Sequence, residues 1–286
     1  MIALLIFAAA LWGFGFIAVK WMLPVWDPMA SYFLRFLLAS ILMIPFFIWK
    51  KSWNRKSNEF KYALLTGSLL GLAQIFQTWG LKYTTSAKSG FITTLYVMIV
   101  PLIMLIQRHR VNLRFWSYCF SAIFGIFLLG NLNLESFNIG DFLSLICAFF
   151  FALHIIFIEK ASKVITDPIE FNGFQNIVCA IIGLAIVLVL DTPIIDVNLS
   201  SFISRPVFGL IFLALGSSII AFSIQVIAQK TIKPHLAGLI FLMESPFAAL
   251  FGILFLSEEL NLIQVFGCLL IIFSIFQASI TKKEET

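Results

Sequence analysis

The sequence predicts an all-α integral membrane protein of ten transmembrane helices, folded as two inverted five-helix repeats with both termini in the cytoplasm. Three observations predict it: an apolar composition, charges gathered in short clusters between apolar runs, and a weak echo between the two halves of the chain. Of 286 residues, 61% are hydrophobic and 12% charged, and the mean hydropathy is +1.02. Soluble domains hold about 45–50% apolar and about 25% charged residues, so a soluble globular enzyme is excluded. The apolar runs are about 17–22 residues long, enough to cross about 30 Å of hydrocarbon at about 1.5 Å per residue.

Runs bounded by charge or proline place helices at about 2–20, 29–49, 61–81, 87–107, 113–131, 140–159, 171–190, 206–229, 236–256 and 261–280. The first follows Met1 directly, with no basic segment before Ile2–Val19, and reads as a retained helix rather than a signal peptide. The second carries Arg35 and Pro45, and the third carries Gln74, Gln77 and the small-residue pair Gly67 and Gly71. The fourth and ninth contain Pro101 and Pro246, which free backbone carbonyls and can kink or hinge a span. Pro28, Pro168 and Pro234 stand at helix starts, where proline fits without strain. Cys119, Cys147, Cys179 and Cys268 lie within apolar runs and form no CxxC pair, so they read as small buried hydrophobes.

The basic residues set the topology. Lys50, Lys51, Arg55, Lys56, Lys61, Arg108, Arg110, Arg114, Lys160, Lys163, Lys230, Lys233, Lys282 and Lys283 fall on one side, and only Lys20, Lys82, Lys88 and Arg205 on the other. The positive-inside bias therefore puts both termini in the cytoplasm. The net charge of +5 marks orientation, not a nucleic-acid partner.

Offset by 140 residues, Lys20, Asp27 and Pro28 fall on Lys160, Asp167 and Pro168; by 148, Gln77, Lys82 and Gly90 fall on Gln225, Lys230 and Gly238; by 149, Asn112 and Cys119 fall on Asn261 and Cys268. The polar pairs recur in order. They divide one membrane domain into repeats at 1–135 and 136–286, and five spans per repeat force the second to enter the membrane inverted, as in many secondary transporters.

The chain resembles the EamA-type ten-helix carriers of the drug/metabolite transporter superfamily. The resemblance rests on LWGFGFIAVK at 11–20, Arg35 in YFLRFLLAS at 32–40, GLKYTTSAKSGFITTLYVMIVP at 80–101, GDFLSLICAFFFALHIIF at 140–157 and LMESPFAALFGILFLSEEL at 242–260. Prolines such as Pro101 and Pro246 are typical of these carriers, as is a Glu ending the ninth helix, here Glu258. The family's corresponding Glu after the fourth helix is replaced by Arg108, His109 and Arg110. The resemblance implies export or exchange of small metabolites by alternating access.

Ionisable groups within spans are costly, at least about 2.5–3.5 kcal/mol each, and so are functional candidates. Glu244, near the midplane of the ninth helix, is either a coupling or cation-selecting carboxylate or a protonated partner of a neighbouring helix. Arg35 either holds a substrate carboxylate, pairs with Glu244 or an aromatic face, or anchors its helix by snorkelling. His154 is either a satisfied structural imidazole or a proton relay. Gln77 and Gln225, equivalent under the repeat offset, either face an inter-repeat cavity or join helices. Gln74, Gln175 and Asn176 are further pore-lining candidates. Trp12, Trp79 and Tyr96 could wall a site for an apolar or cationic substrate. Gly67 and Gly71 read as close-packing positions, within the bundle or between copies. Trp21, Trp26, Trp49, Trp53 and Trp116 read as interfacial anchors.

No Walker A string, HExxH or Cys/His cluster is present, so no catalytic residue, metal or cofactor is expected. The expected partners are a small-molecule substrate, a coupling proton or other ion, and the lipid of a bacterial inner membrane, with the chain a monomer or homodimer. The competing readings are an intramembrane enzyme using Glu244 and His154, or a non-transporting assembly or channel subunit. The orientation is directly testable. A cysteine at Ser136 should react with an impermeant maleimide from outside intact cells, and one at Asn54 only after permeabilisation; the opposite pattern inverts the topology.

Overall fold

The computed structural model describes residues 1–51, 57–84, 86–109, 111–130, 137–192, 205–257 and 259–284. Trp53, Asn54, Arg55, Lys56, Arg110, Ser136, Glu258 and the expected repeat boundary lie outside them. Every regular element among the described residues is helical: α1 (Ile2–Met22), α2 (Pro28–Lys50), α3 (Ser57–Gly80), α4 (Ser86–Thr94), α5 (Tyr96–Ile106), α6 (Leu113–Gly130), α7 (Ile139–Ala161), α8 (Pro168–Val189), α9 (Arg205–Phe212), a π-helical segment (Leu213–Ala221), α10 (Phe222–Ala228), α11 (Pro234–Phe241), α12 (Glu244–Leu256) and α13 (Leu262–Glu284).

Nine helical stretches among the described residues are long and apolar enough to cross a membrane, counting α4–α5, α9–α10 and α11–α12 as one each. The tenth expected span, α3, has 24 residues but is more polar, carrying Glu59, Lys61, Gln74 and Gln77. Large apolar side chains cover the outside of the bundle, among them Leu188, Leu254 and Phe276. In water that surface would be untenable; in lipid it is the expected one.

Local chemistry fixes the helix ends. Asp27 accepts from Met29 N at 2.8 Å to cap α2, and Asp167 accepts from Ile169 N and Glu170 N at 3.0 and 3.3 Å to cap α8. Asn138 and Asp141 form a reciprocal capping box on α7. Lys51 and Ser257 terminate α2 and α12 in the left-handed conformation.

Three expected continuous helices are interrupted. The fourth span breaks at Leu95 and the ninth at Leu242–Met243, and the eighth runs through the π segment. Pro246 lacks the N–H that would bond Leu242 O, and the ninth span breaks at that carbonyl, which Ser245 N reaches instead at 3.1 Å. Pro101 lies inside α5, six residues past the Leu95 break, so the expected hinge at Pro101 falls earlier in the chain.

Two polar clusters close opposite ends of the bundle. At one, the α7–α8 loop is held from three elements: Lys50 Nζ meets Asp167 at 3.0 Å, Glu59 accepts from Thr166 N and Oγ1 at 3.0 and 2.7 Å, and Lys230 Nζ donates to Ile165 O at 3.0 Å. At the other, Asp141 takes Lys88 Nζ and Thr84 Oγ1, each at 2.6 Å. Burial pushes the Asp167 carboxyl up, but Lys50 and the N–H groups of Glu170 and Ile169 outweigh it and hold the group below the ordinary aspartate range. A depressed carboxyl stabilises the fold above its unfolded pKa of about 3.9, and that contribution disappears as pH falls through the folded value. Asp167→Ala should therefore lose about 1–2 kcal/mol at neutral pH, and Asp167→Asn, which keeps a cap, at most about 1. Thermal unfolding of the detergent-purified chain should show the Asn variant converging on the parent below about pH 4; a pH-independent gap would locate the effect elsewhere.

Candidate functional site

A cavity with about 740 Å³ of empty space, its mouth included, lies among α1, α2, α3, α4, α5, α7, the π segment, α10, α11 and α12. Its wall brings together six of the eight binding or coupling candidates: Trp12, Arg35, Gln77, Tyr96, Gln225 and Glu244. Aromatic side chains fill much of the rest, and the Trp12 ring packs 5.0 Å from both Phe222 and Phe241. The lining reaches Val19 and Leu81 at the ends of α1 and α3 that lie away from the α7–α8 loop.

Arg35 is the centre of the polar wall. Its Nε donates to Ser218 Oγ at 2.7 Å, Nη2 to Ser217 Oγ at 2.8 Å and Nη1 to Gln74 Oε1 at 3.1 Å, and its carbon lies 5.0 Å from the Phe36 ring centroid. The arginine is 7% exposed, so it is neither snorkelled nor paired with Glu244. Three bonds to a charged donor, about 1.5–3 kcal/mol each, offset an insertion cost of about 2.5–3.5 kcal/mol. All three acceptors are neutral, so the charge is held in place without being cancelled.

The two serines come from the π segment, and its irregularity is what presents both. A widened turn leaves backbone carbonyls poorly matched. Asn172 Nδ2 on α8 takes up Ser218 O at 2.8 Å, Ile219 O at 3.1 Å and Ser223 Oγ at 3.1 Å, and Asn176 Nδ2 reaches Ser218 O at 3.3 Å. Asn176 therefore braces the segment instead of lining the cavity, and Gln74 is a lining residue.

Glu244 stands at the first position of α12, where the helix N-terminus favours a carboxylate. The Tyr96 hydroxyl, at the first position of α5, lies beside it without closing a well-formed hydrogen bond. Gly13 sets this placement. A Cβ there would sit 2.7 Å from Phe247 Cβ and 2.8 Å from Glu244 O, so only glycine lets α1 and α12 approach this closely. Gln225 Nε2 donates to Gln229 Oε1 at 2.9 Å, and Gln229 Nε2 to Ile155 O at 2.8 Å, closing the deep end with neutral groups.

Two candidates stand elsewhere. His154 is buried beside the cavity, its Nε2 3.0 Å from Gln175 Nε2, so neither it nor Gln175 reaches the wall. Trp79 is 39% exposed on another face of α3. Gly67 packs within the bundle, where a Cβ would come 2.9 Å from Val178 Cβ, and Gly71 lies against Tyr32. Trp26 is 9% exposed, a core residue and not an interfacial anchor. Ser217, Ser218 and Asn172 were not singled out from sequence; the Ser–Ser pair and the Asn within apolar spans were the available signals.

The profile of the EamA-like transporter family matches residues 1–131 and 138–280. The chain belongs to the EamA-like transporter family. It is also 31% identical to an uncharacterized transporter of Archaeoglobus fulgidus over 95% of this chain and 83% of that protein. A WAT1-related chloroplastic protein of Arabidopsis thaliana is 23% identical over 93% of this chain and 66% of its own length. A crystal structure with 16% identity shares the fold at a TM-score of 0.76, covering 100% of this chain and 97% of that one. This EamA-like protein is thus a multi-pass membrane transporter and not an enzyme, which removes the reading of Glu244 and His154 as catalytic partners.

Its π segment depends on Asn172. Replacing Asn172 with alanine should strand Ile219 O, leave Ser218 O with Asn176 alone and cost about 1–3 kcal/mol, lowering the apparent Tm in detergent by several degrees. An unchanged Tm would show that the segment holds itself.

Proposed function

We propose that this transporter is a secondary carrier that moves small organic metabolites, amino acids or drug-like compounds among them, by alternating access, as an exporter or exchanger. The observation that carries the reading is the pairing inside one cavity of a cation and a carboxylate with opposite roles. Arg35 is fixed by neutral partners with its charge uncancelled, and Glu244 faces the same space from an interrupted helix. A carboxylate or zwitterion would meet Arg35 with its acid group, while the aromatic wall takes an apolar body. Glu244 would bind a proton or a substrate cation in alternation.

The inverted-repeat reading is supported by the positions lining that cavity. The offset of 148 residues that sets Gln77 on Gln225 also sets Tyr96 on Glu244, and all four residues line it. Tyr96 and Glu244 each begin the second half of a broken helix, as expected of discontinuous helices meeting at a pseudo-twofold axis. The two stretches matched by the family fall one in each half. In this reading the termini are cytoplasmic, the membrane is a bacterial inner membrane, and the cavity is reached from the outer side.

The test compares metabolites in the medium of cells expressing the parent chain, Glu244→Gln, Arg35→Gln or none. Export of a compound that the parent moves and cells without the chain do not should be lost, or lose its pH dependence, with Glu244→Gln, while Arg35→Gln should raise its apparent KM at least about tenfold, the worth of one charge-assisted bond. Unchanged flux and pH profile in Glu244→Gln would remove that residue from coupling. If Arg35→Gln lowers only protein yield, the arginine is structural.

A further inference from the structure

Unbonded polar atoms gather behind one wall of the cavity. On α8, Asn172 Oδ1, Gln175 Oε1 and Asn176 Oδ1 have no hydrogen-bond partner among the described residues, and neither does Nδ1 of His154, which faces Gln175 from α7. All four residues are at most 1% exposed. The asparagine amides are not free to turn: each Nδ2 donates to Ser218 O, and a flipped amide would set oxygen against oxygen. Buried acceptors left in this condition cost stability, and native folds keep few of them. At positions i, i+3 and i+4 the three side chains share one side of α8 and make a polar stripe.

The stripe lies between the cavity and the α7–α8 loop. Ile155, next to His154, lines the cavity, and so does Phe222, whose ring centroid is 6.1 Å from that of the imidazole. Four residues nearer the loop along α7 and α8, or about 6 Å, stand Ile158 and Phe171. With Ala63 of α3 and Val226 of α10 they form a small apolar plug drawn from four helices. Beyond the plug, Lys50, Glu59 and Lys230 strap the loop to α2, α3 and α10.

We propose that the stripe of Asn172, Gln175 and Asn176, with His154 opposite, lines the transport route when it opens at the α7–α8 loop end, and that the plug and the strap close that end here. The oxygens then accept from water and from donor groups of the passing solute. A wall that stayed dry would be better built from aliphatic side chains; amide acceptors suit a wall that is wetted for part of a cycle. The inference rests on the alternating-access reading above and adds the path, which runs among α3, α7, α8 and α10.

The test labels single added cysteines with the neutral reagent N-ethylmaleimide in the full chain in phosphatidylcholine nanodiscs, where both ends face solvent, and reads each site on its own peptide by mass spectrometry. Gln175→Cys reports on the stripe and Gln77→Cys on the cavity. With the strap intact, Gln77→Cys should react at least about tenfold faster than the buried Gln175→Cys. Releasing the strap with Lys50→Ala and Glu59→Ala together should speed Gln175→Cys about tenfold and slow Gln77→Cys, because one end opens as the other closes. If that double variant does not fold, Glu59→Gln, which keeps one acceptor for Thr166, should shift both rates in the same two directions by about threefold. Labelling of Gln175→Cys that ignores the strap, as when resident water permanently satisfies the stripe, would overturn the proposal. So would a rise there with no fall at Gln77→Cys, the mark of local fraying. Failure here in a chain whose export still depends on Arg35 would leave the carrier reading intact with its route elsewhere; opposed shifts in a chain that exports nothing would keep the route and remove the proposed solutes.

Discussion

One buried cation organises the centre of this protein. A guanidinium inside an apolar bundle must be solvated by protein, and the residues that solvate Arg35 come from two other elements: Gln74 of α3, and Ser217 and Ser218 of the π segment facing α2. Each carries a further structural obligation. The serines require an irregular turn, the irregular turn requires Asn172 and Asn176 to cover its carbonyls, and α3 gives up apolarity to supply its glutamine. The most polar of the expected spans and the most distorted one thus trace to the same charge. Neutral solvation also leaves the positive potential available to a ligand, which a carboxylate partner would have quenched.

The interrupted helices serve the opposite sign. Breaks at Leu95 and at Leu242–Met243 bring two half-helix starts to the cavity, one presenting a phenol and the other a carboxylate. The close crossing at Gly13 ties α12 to α1 and fixes where that carboxylate stands. Polar clusters then hold the two ends of the bundle, Asp167 and Glu59 at one and Asp141 at the other. In the alternating-access reading proposed above, one of these clusters would open while the other stays closed.

Much of this was legible in the sequence because hydrocarbon is an unforgiving solvent. Any polar group in a span needs a reason, so Arg35, Gln74, Gln77, Gln225 and Glu244 stood out against an apolar background and meet in one cavity, while His154, Gln175 and Asn176, equally conspicuous, do not line it. Facing was not legible. Trp79 lies two residues beyond Gln77 and is thereby turned about 200° around the same helix; His154 is one residue before the lining Ile155 and turned about 100°. Neither offset is visible without knowing which side of the helix the cavity occupies. The π geometry was not legible either: apart from its Ser–Ser pair, Leu213–Ala221 reads as an ordinary apolar helix, and its register is decided by bonds from α8.

That register has a downstream effect on helical phase. A widened turn accommodates a residue that a regular helix would have to place elsewhere, and each residue gained or lost rotates everything after it by about 100°. All of α10 therefore takes its azimuth from the nine residues before it. Had the span stayed regular, Gln225 would point away from the cavity while remaining at the same depth. In the inverted-repeat reading proposed above, Gln77 and Gln225 would thus reach equivalent places by two different routes, a regular helix in one half and a phase-corrected one in the other.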